Sequence, residues 1–172
     1  MSNQYSYLLS PFKVGKRTFK NRILGGPLGY NQENLTAAMS QENVDYYGAL
    51  ARGGAARITT GDCMVSDDAG YNGGGGRPKF YAPPMEMMNS LKNYVHTIQR
   101  YDCLAFVQLG FNGGDYTNFL NIPSVSYGPS PMSFDCGAEV RAMDKEMIDR
   151  VIGDFVLCTK NLRDGGGDGV II

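Results

Sequence analysis

Gly169-Val170-Ile171-Ile172 opens a β-strand in the last residues of the chain, and three earlier apolar runs decide how that strand is read. They are Arg22–Leu28, Ala56–Val65 and Cys103–Phe111. Each leads through a loop into a stretch whose apolar residues recur at helical spacing. Strands alternating with helices in this way predict βαβ units and a parallel sheet. A parallel sheet buries both faces, so a strand begun at the terminus predicts an uncovered apolar edge. The expectation is the front half of a larger protein.

With 172 residues the chain is long enough for one domain with a sizeable core. A (β/α)8 barrel needs roughly 250 residues, so the chain corresponds to about four of its eight units plus long loops. Sixteen basic and seventeen acidic residues leave a net charge of −1, which recommends neither nucleic acid nor an anionic membrane as a partner. There is no apolar run of the roughly 18 residues that a spanning helix needs. Met1-Ser2-Asn3-Gln4-Tyr5 lacks the basic and apolar regions of a signal peptide. A cytoplasmic protein is expected.

Phe12–Phe19 alternates around Gly15 and reads as a short hairpin placed to plug a barrel floor. Thr36 is the expected N-cap of the first helix, with Val44, Tyr47 and Ala51 on its inner face and Gly53-Gly54 ending it. Pro83-Pro84 should start the second helix, with Met87, Leu91, Tyr94, Val95 and Ile98 inward. Asp144 can cap the third. Its apolar stripe is Met147, Ile148, Val151, Ile152, Phe155 and Cys158, and Gly165-Gly166-Gly167 closes it.

Two long segments, Ser66–Ala82 with the run Gly73–Gly76 and Asn112–Ala142, read as loops. Both follow the C-terminal ends of strands, the face on which barrel enzymes build their active sites. No helix follows the glycine run to offer its N-terminus to a phosphate, so a lid or surface slack is the better reading. Cys63, Cys103, Cys136 and Cys158 include no C-x-x-C pair, which argues against a metal or iron–sulfur site in this segment. Cys103 and Cys158 read as packing thiols. His96, the sole histidine, falls in mid-helix, whereas catalytic histidines favour loops at strand ends.

Several stretches resemble the old yellow enzyme family of FMN-dependent (β/α)8-barrel oxidoreductases. They are Leu9-Ser10-Pro11-Phe12-Lys13-Val14-Gly15, Lys20-Asn21-Arg22-Ile23, Gly26-Pro27-Leu28, Asp45-Tyr46-Tyr47 with Ala51-Arg52-Gly53-Gly54, Phe106-Val107-Gln108-Leu109, Asp144–Phe155 and Gly165–Ile172. The resemblance is strongest to the branch of 2-enoate and 2,4-dienoyl-CoA reductases. It implies a flavin across the C-terminal mouth of the barrel, bedded on Pro27, Leu28, Gly29, Gly61, Asp62 and Gln108, with Tyr30 and Phe111 on the substrate side. The amide of Gly61 is expected to face the flavin carbonyl edge. Asp62 is unusual there, because a carboxylate repels an anionic reduced flavin. Gln108 both donates and accepts, which matches the flavin pyrimidine ring. The plainer readings are that Pro27 ends a strand and that Gln108 satisfies buried backbone groups. Gln108-Leu109-Gly110-Phe111-Asn112-Gly113-Gly114 departs from the family's Gln-Leu-x-His-x-Gly-Arg, with phenylalanine for histidine and glycine for arginine.

The resemblance places the substrate-anchoring His/His or His/Asn pair, the proton-donating tyrosine and the phosphate loops beyond Ile172, so no catalytic residue is expected within the segment. A 4Fe-4S cluster and FAD of a longer parent would lie outside it too. The implied reaction passes hydride from NAD(P)H to FMN and then to the activated C=C bond of a small enoate or enone. The second reading is a non-catalytic half-barrel that self-associates as a homo-oligomer or pairs with a separate C-terminal half.

Overall fold

A computed structural model describes residues 4–28, 38–66, 80, 85–111, 113, 125–133 and 139–172. Four strands, β3 (Leu24–Leu28), β4 (Arg57–Met64), β5 (Leu104–Gly110) and β9 (Gly169–Ile171), form a parallel sheet in the order β3-β4-β5-β9. Three helices cross between them: α1 (Gln41–Arg52), α2 (Met85–Gln99) and α3 (Lys145–Asp164). Each new strand adds beside the previous one, with no return to the middle of the sheet. The helices pack on one face, where Val44, Tyr47, Leu91, Tyr94, Ile98, Cys158 and Leu162 meet Ala105, Val107 and Leu109 in one core. Sequential order with helices on a single face is the winding of a (β/α)8 barrel rather than of a doubly wound sheet. These are its first four units.

The helix ends follow from local chemistry. Ser40 caps α1, its hydroxyl accepting from the amide of Asn43; the expected cap, Thr36, lies outside the described residues, four positions too early. Asp144 caps α3 as expected, accepting from Met147 N at 2.8 Å. After α1 and α3 the chain reverses through Gly54 (φ +104°) and Gly166 (φ +89°), a left-handed region that costs glycine little. Pro83-Pro84 and Gly73–Gly76 lie outside the described residues. The α3 stripe is narrower than the sequence suggests. Met147, Val151 and Cys158 are buried, whereas Ile148 and Ile152 are exposed, because no described element packs against that side.

The segment read as a loop over Asn112–Ala142 carries a small sheet. It consists of β6 (Val125–Gly128), β7 (Met132–Ser133) and β8 (Glu139–Ala142), in the order β6-β8-β7. Strands of two to four residues fall below the length at which alternation can be read.

The other end of the large sheet is closed by the hairpin β1 (Phe12–Val14) and β2 (Arg17–Phe19). Phe19 stacks on Phe12 at 4.7 Å between ring centroids and leans on Phe106 at 6.4 Å, on the helix-free face of the sheet. The next three residues each tie down a different piece of chain. Lys20 donates to Tyr101 O before β5, and Asn21 donates to Gly54 O before β4. Arg22 donates to Ser10 O and covers the rings of Tyr7 and Phe12. Using Arg22 there explains why β3 starts at Leu24 and not at Arg22.

Asp168 completes this floor. Its side chain is 3% exposed, and it accepts from Ala105 N (2.9 Å), Gln99 Nε2 (3.0 Å) and Arg17 (3.0 Å). Arg17 is half exposed, so its ion pair contributes little; the buried amide of Ala105 is what needs the carboxylate. Asp168→Ala should therefore lower unfolding free energy by about 2–3 kcal/mol, and Arg17→Ala by about 0.5–1 kcal/mol, in urea titrations. Equal losses would mean that the ion pair matters more than the amide.

Burial raises the Cys103 thiol to about 11 and the Cys158 thiol to about 12, and pushes the Tyr94 phenol well above its ordinary value. In the unfolded chain these groups ionise nearer pH 8.5–10, so above that range the unfolded state binds fewer protons and is favoured. Their contribution is intact at neutral pH. It should be lost progressively as pH rises from about 9 toward 12, a decline that Cys158→Ala would flatten in unfolding titrations.

Candidate functional site

Alternation along β5 sorts its side chains. Ala105, Val107 and Leu109 point into the core, while Phe106, Gln108 and Gly110 lie half-buried on the helix-free face. Gln108 is thus presented at the C-terminal end of the sheet, away from the hairpin. Its ladder neighbour on β4 is Asp62. A side chain at Gly110 would overlap the Asp62 carboxylate, which shows that the carboxylate lies across the Cα of Gly110 on the same open face. The structure therefore brings Asp62 and Gln108 together as one polar pair.

That register exists because β4 is bulged. Thr59 lies opposite Phe106, and the next paired residues are Asp62 and Gln108, so Thr60 and Gly61 share one opposing position. The β3–β4 pairing is irregular at the same level, between Gly25 and Leu28, where Pro27 has no amide to give to a ladder. Bulges leave backbone groups without ladder partners, and side chains take them up here. Tyr47 from α1 donates its hydroxyl to Leu28 O at 2.8 Å and accepts from Gly61 N at 2.9 Å. Thr60 Oγ1 receives the amide of Gln108 at 3.4 Å. Tyr94 from α2 donates to Phe106 O at 2.8 Å.

The Gly61 amide, expected to face a flavin carbonyl, is instead held by Tyr47. Phe111, expected on the substrate side, is half-buried just past the end of β5 and packs against the core. Pro27 and Leu28 are exposed at the end of β3; Gly29 and Tyr30 lie outside the described residues. Tyr47 is the residue that the sequence reading left as plain core. Its place beside Tyr46 on a helix following β3 is visible in the sequence, but the two backbone groups it bridges exist only once the strands are bulged. Among the described residues no group of three or more His, Cys, Asp or Glu could hold a metal ion, and no helix is long and apolar enough to cross a membrane. His96 is exposed on α2.

Tyr47→Phe keeps the ring but leaves the buried Gly61 amide without its acceptor. It should cost about 1–3 kcal/mol of stability, measured by urea unfolding. Faster hydrogen exchange at Gly61 should accompany the loss, and unchanged protection would show that another acceptor replaces the hydroxyl.

A 25% identical relative over 175 residues is the cinnamate reductase of Clostridium sporogenes, a match that covers all of this chain and 26% of that protein. A 2-naphthoyl-CoA reductase structure shares the fold with TM-score 0.79 at 20% identity, over 96% of this chain and 27% of that one. An Old Yellow Enzyme from Pichia sp. AKU4542 does so with TM-score 0.75 at 22% identity, over 95% of this chain and 45% of that one. The chain thus spans about a quarter of the length of the cinnamate reductase. Residues 7–172 match the NADH:flavin oxidoreductase / NADH oxidase family, and the chain belongs to that family.

Proposed function

We propose that this chain forms one side of the FMN bed of an ene- or enoate-type reductase, which uses NAD(P)H to reduce activated C=C bonds. The observation that supports it is the Asp62–Gln108 pair on the open face, at the barrel end opposite the hairpin, in a chain of this family. The residues present fit the cofactor. A carboxylate and a carboxamide side by side match the alternating donors and acceptors of the flavin pyrimidine ring, and Gly110 keeps the surface beside them low. When bound, FMN would supply the hydride transfer.

In this reading Gln108 orients the pyrimidine edge, and Pro27, Leu28 and Gly29 line one flank. Gly61 contributes through its place in the bulge, its amide being held by Tyr47. Tyr30 belongs to the substrate side, and Phe111 supports β5 from behind. The substrate class is a small enoate or enone, which the cinnamate reductase relative favours. The donors that polarise its carbonyl would come from other strands of the barrel. The exposed apolar edges, Leu24 and Leu28 on β3 and Ile172 beyond β9, favour pairing with further strands, whether from a second half-barrel or a second copy.

Titrating FMN with the purified protein while following flavin fluorescence tests the reading. Stoichiometric quenching supports it. Gln108→Ala should weaken FMN binding about tenfold, roughly 1.4 kcal/mol, and an unchanged affinity would remove Gln108 from the bed.

A further inference from the structure

Asp62 stands just past the β4 bulge, level with Gln108 on β5. The bulge is satisfied by Tyr47 and Thr60, and the ladder by backbone groups. The Asp62 carboxylate is held on the helix-free face beside Gln108, pressed over Gly110, where a larger residue would displace it. The two side chains differ in what they offer. Ionised aspartate only accepts, whereas the glutamine amide also donates. An acceptor beside a donor is the complement of an imide, in which an N–H is flanked by a carbonyl.

We propose that Asp62 accepts the imide N–H of the bound flavin, next to a carbonyl that takes its hydrogen bond from Gln108, and that its charge makes the bound flavin harder to reduce. This rests on the flavin-bed reading above and assigns the chemistry of one edge of it. The physical reason for the second effect is Coulombic. The carboxylate costs little beside neutral oxidised flavin, but it repels the negative charge that reduction adds. The effect on potential is therefore separable from the effect on affinity.

The test compares FMN with 3-methyl-FMN, in which the imide hydrogen is replaced, by fluorescence titration of the purified protein and of Asp62→Ala. The unsubstituted protein should prefer FMN about tenfold or more, and Asp62→Ala should reduce that preference below about threefold. A preference that survives the substitution overturns the proposal. Failure of the unsubstituted protein to bind either flavin overturns the flavin-bed reading and this inference with it. Tight binding of both without preference overturns the inference alone. Should Asp62→Ala fail to fold, the near-isosteric Asp62→Asn carries the test through the flavin midpoint potential, measured by dye equilibration. An upward shift supports the proposal and an unchanged potential overturns it.

Discussion

Three pieces of the barrel floor converge on one buried carboxylate. Asp168 stands just before β9, and it takes hydrogen bonds from the start of β5, from the end of α2 and from the hairpin. Hydrogen bonds to a charged acceptor in a site shut off from water are stronger than neutral ones and costly to leave unmade. The relative height of β5 and β9 is set there, and the register of Gln108 against its neighbours follows from it. Lys20, Asn21 and Arg22 extend the same logic around the floor, each reaching the loop before a different strand or the N-terminal segment.

The two ends of the sheet are built by different means. The floor uses polar and charged side chains carried mainly by the segments just before the strands. The mouth uses irregular strands whose displaced backbone groups are collected by hydroxyls from the helices behind, Tyr47 and Tyr94. Fixing the irregularity from the back leaves Asp62 and Gln108 side by side on the other face of the sheet. Under the proposed flavin-bed reading, stability and function are separated along the strand axis, the division expected of barrel enzymes.

Much of this was legible from the chain. Four apolar runs separated by helical stretches suffice for the strand order, and the inward faces of α1 and α2 fall where their periodicity puts them. Phe111 lies one residue past β5, where alternation along the strand no longer dictates which way a side chain packs. Other features had no local signal. The bulge at Thr60-Gly61 depends on the pairing of three strands at once, so neither the position of Asp62 nor the bridge made by Tyr47 could be read from spacing. Ile148 and Ile152 look like core because the covering of a helix face is a property of its neighbours and not of its own sequence. The Lys20-Asn21-Arg22 run, which carries so much of the family likeness, sits at the floor, at the opposite end of the sheet from Asp62 and Gln108.

The contact between Asp62 and Gly110 ties two positions that lie far apart in the chain but only two ladder pairs apart in space. Neither can drift alone: a side chain at 110 demands a shorter residue at 62, and a longer residue at 62 demands that 110 stay bare. In evolutionary terms these two positions should covary among relatives, and a lineage that trades the carboxylate for alanine or serine is released to place a side chain at 110. The mouth of such a barrel can then be recarved from the neighbouring strand without touching the floor that holds it in register.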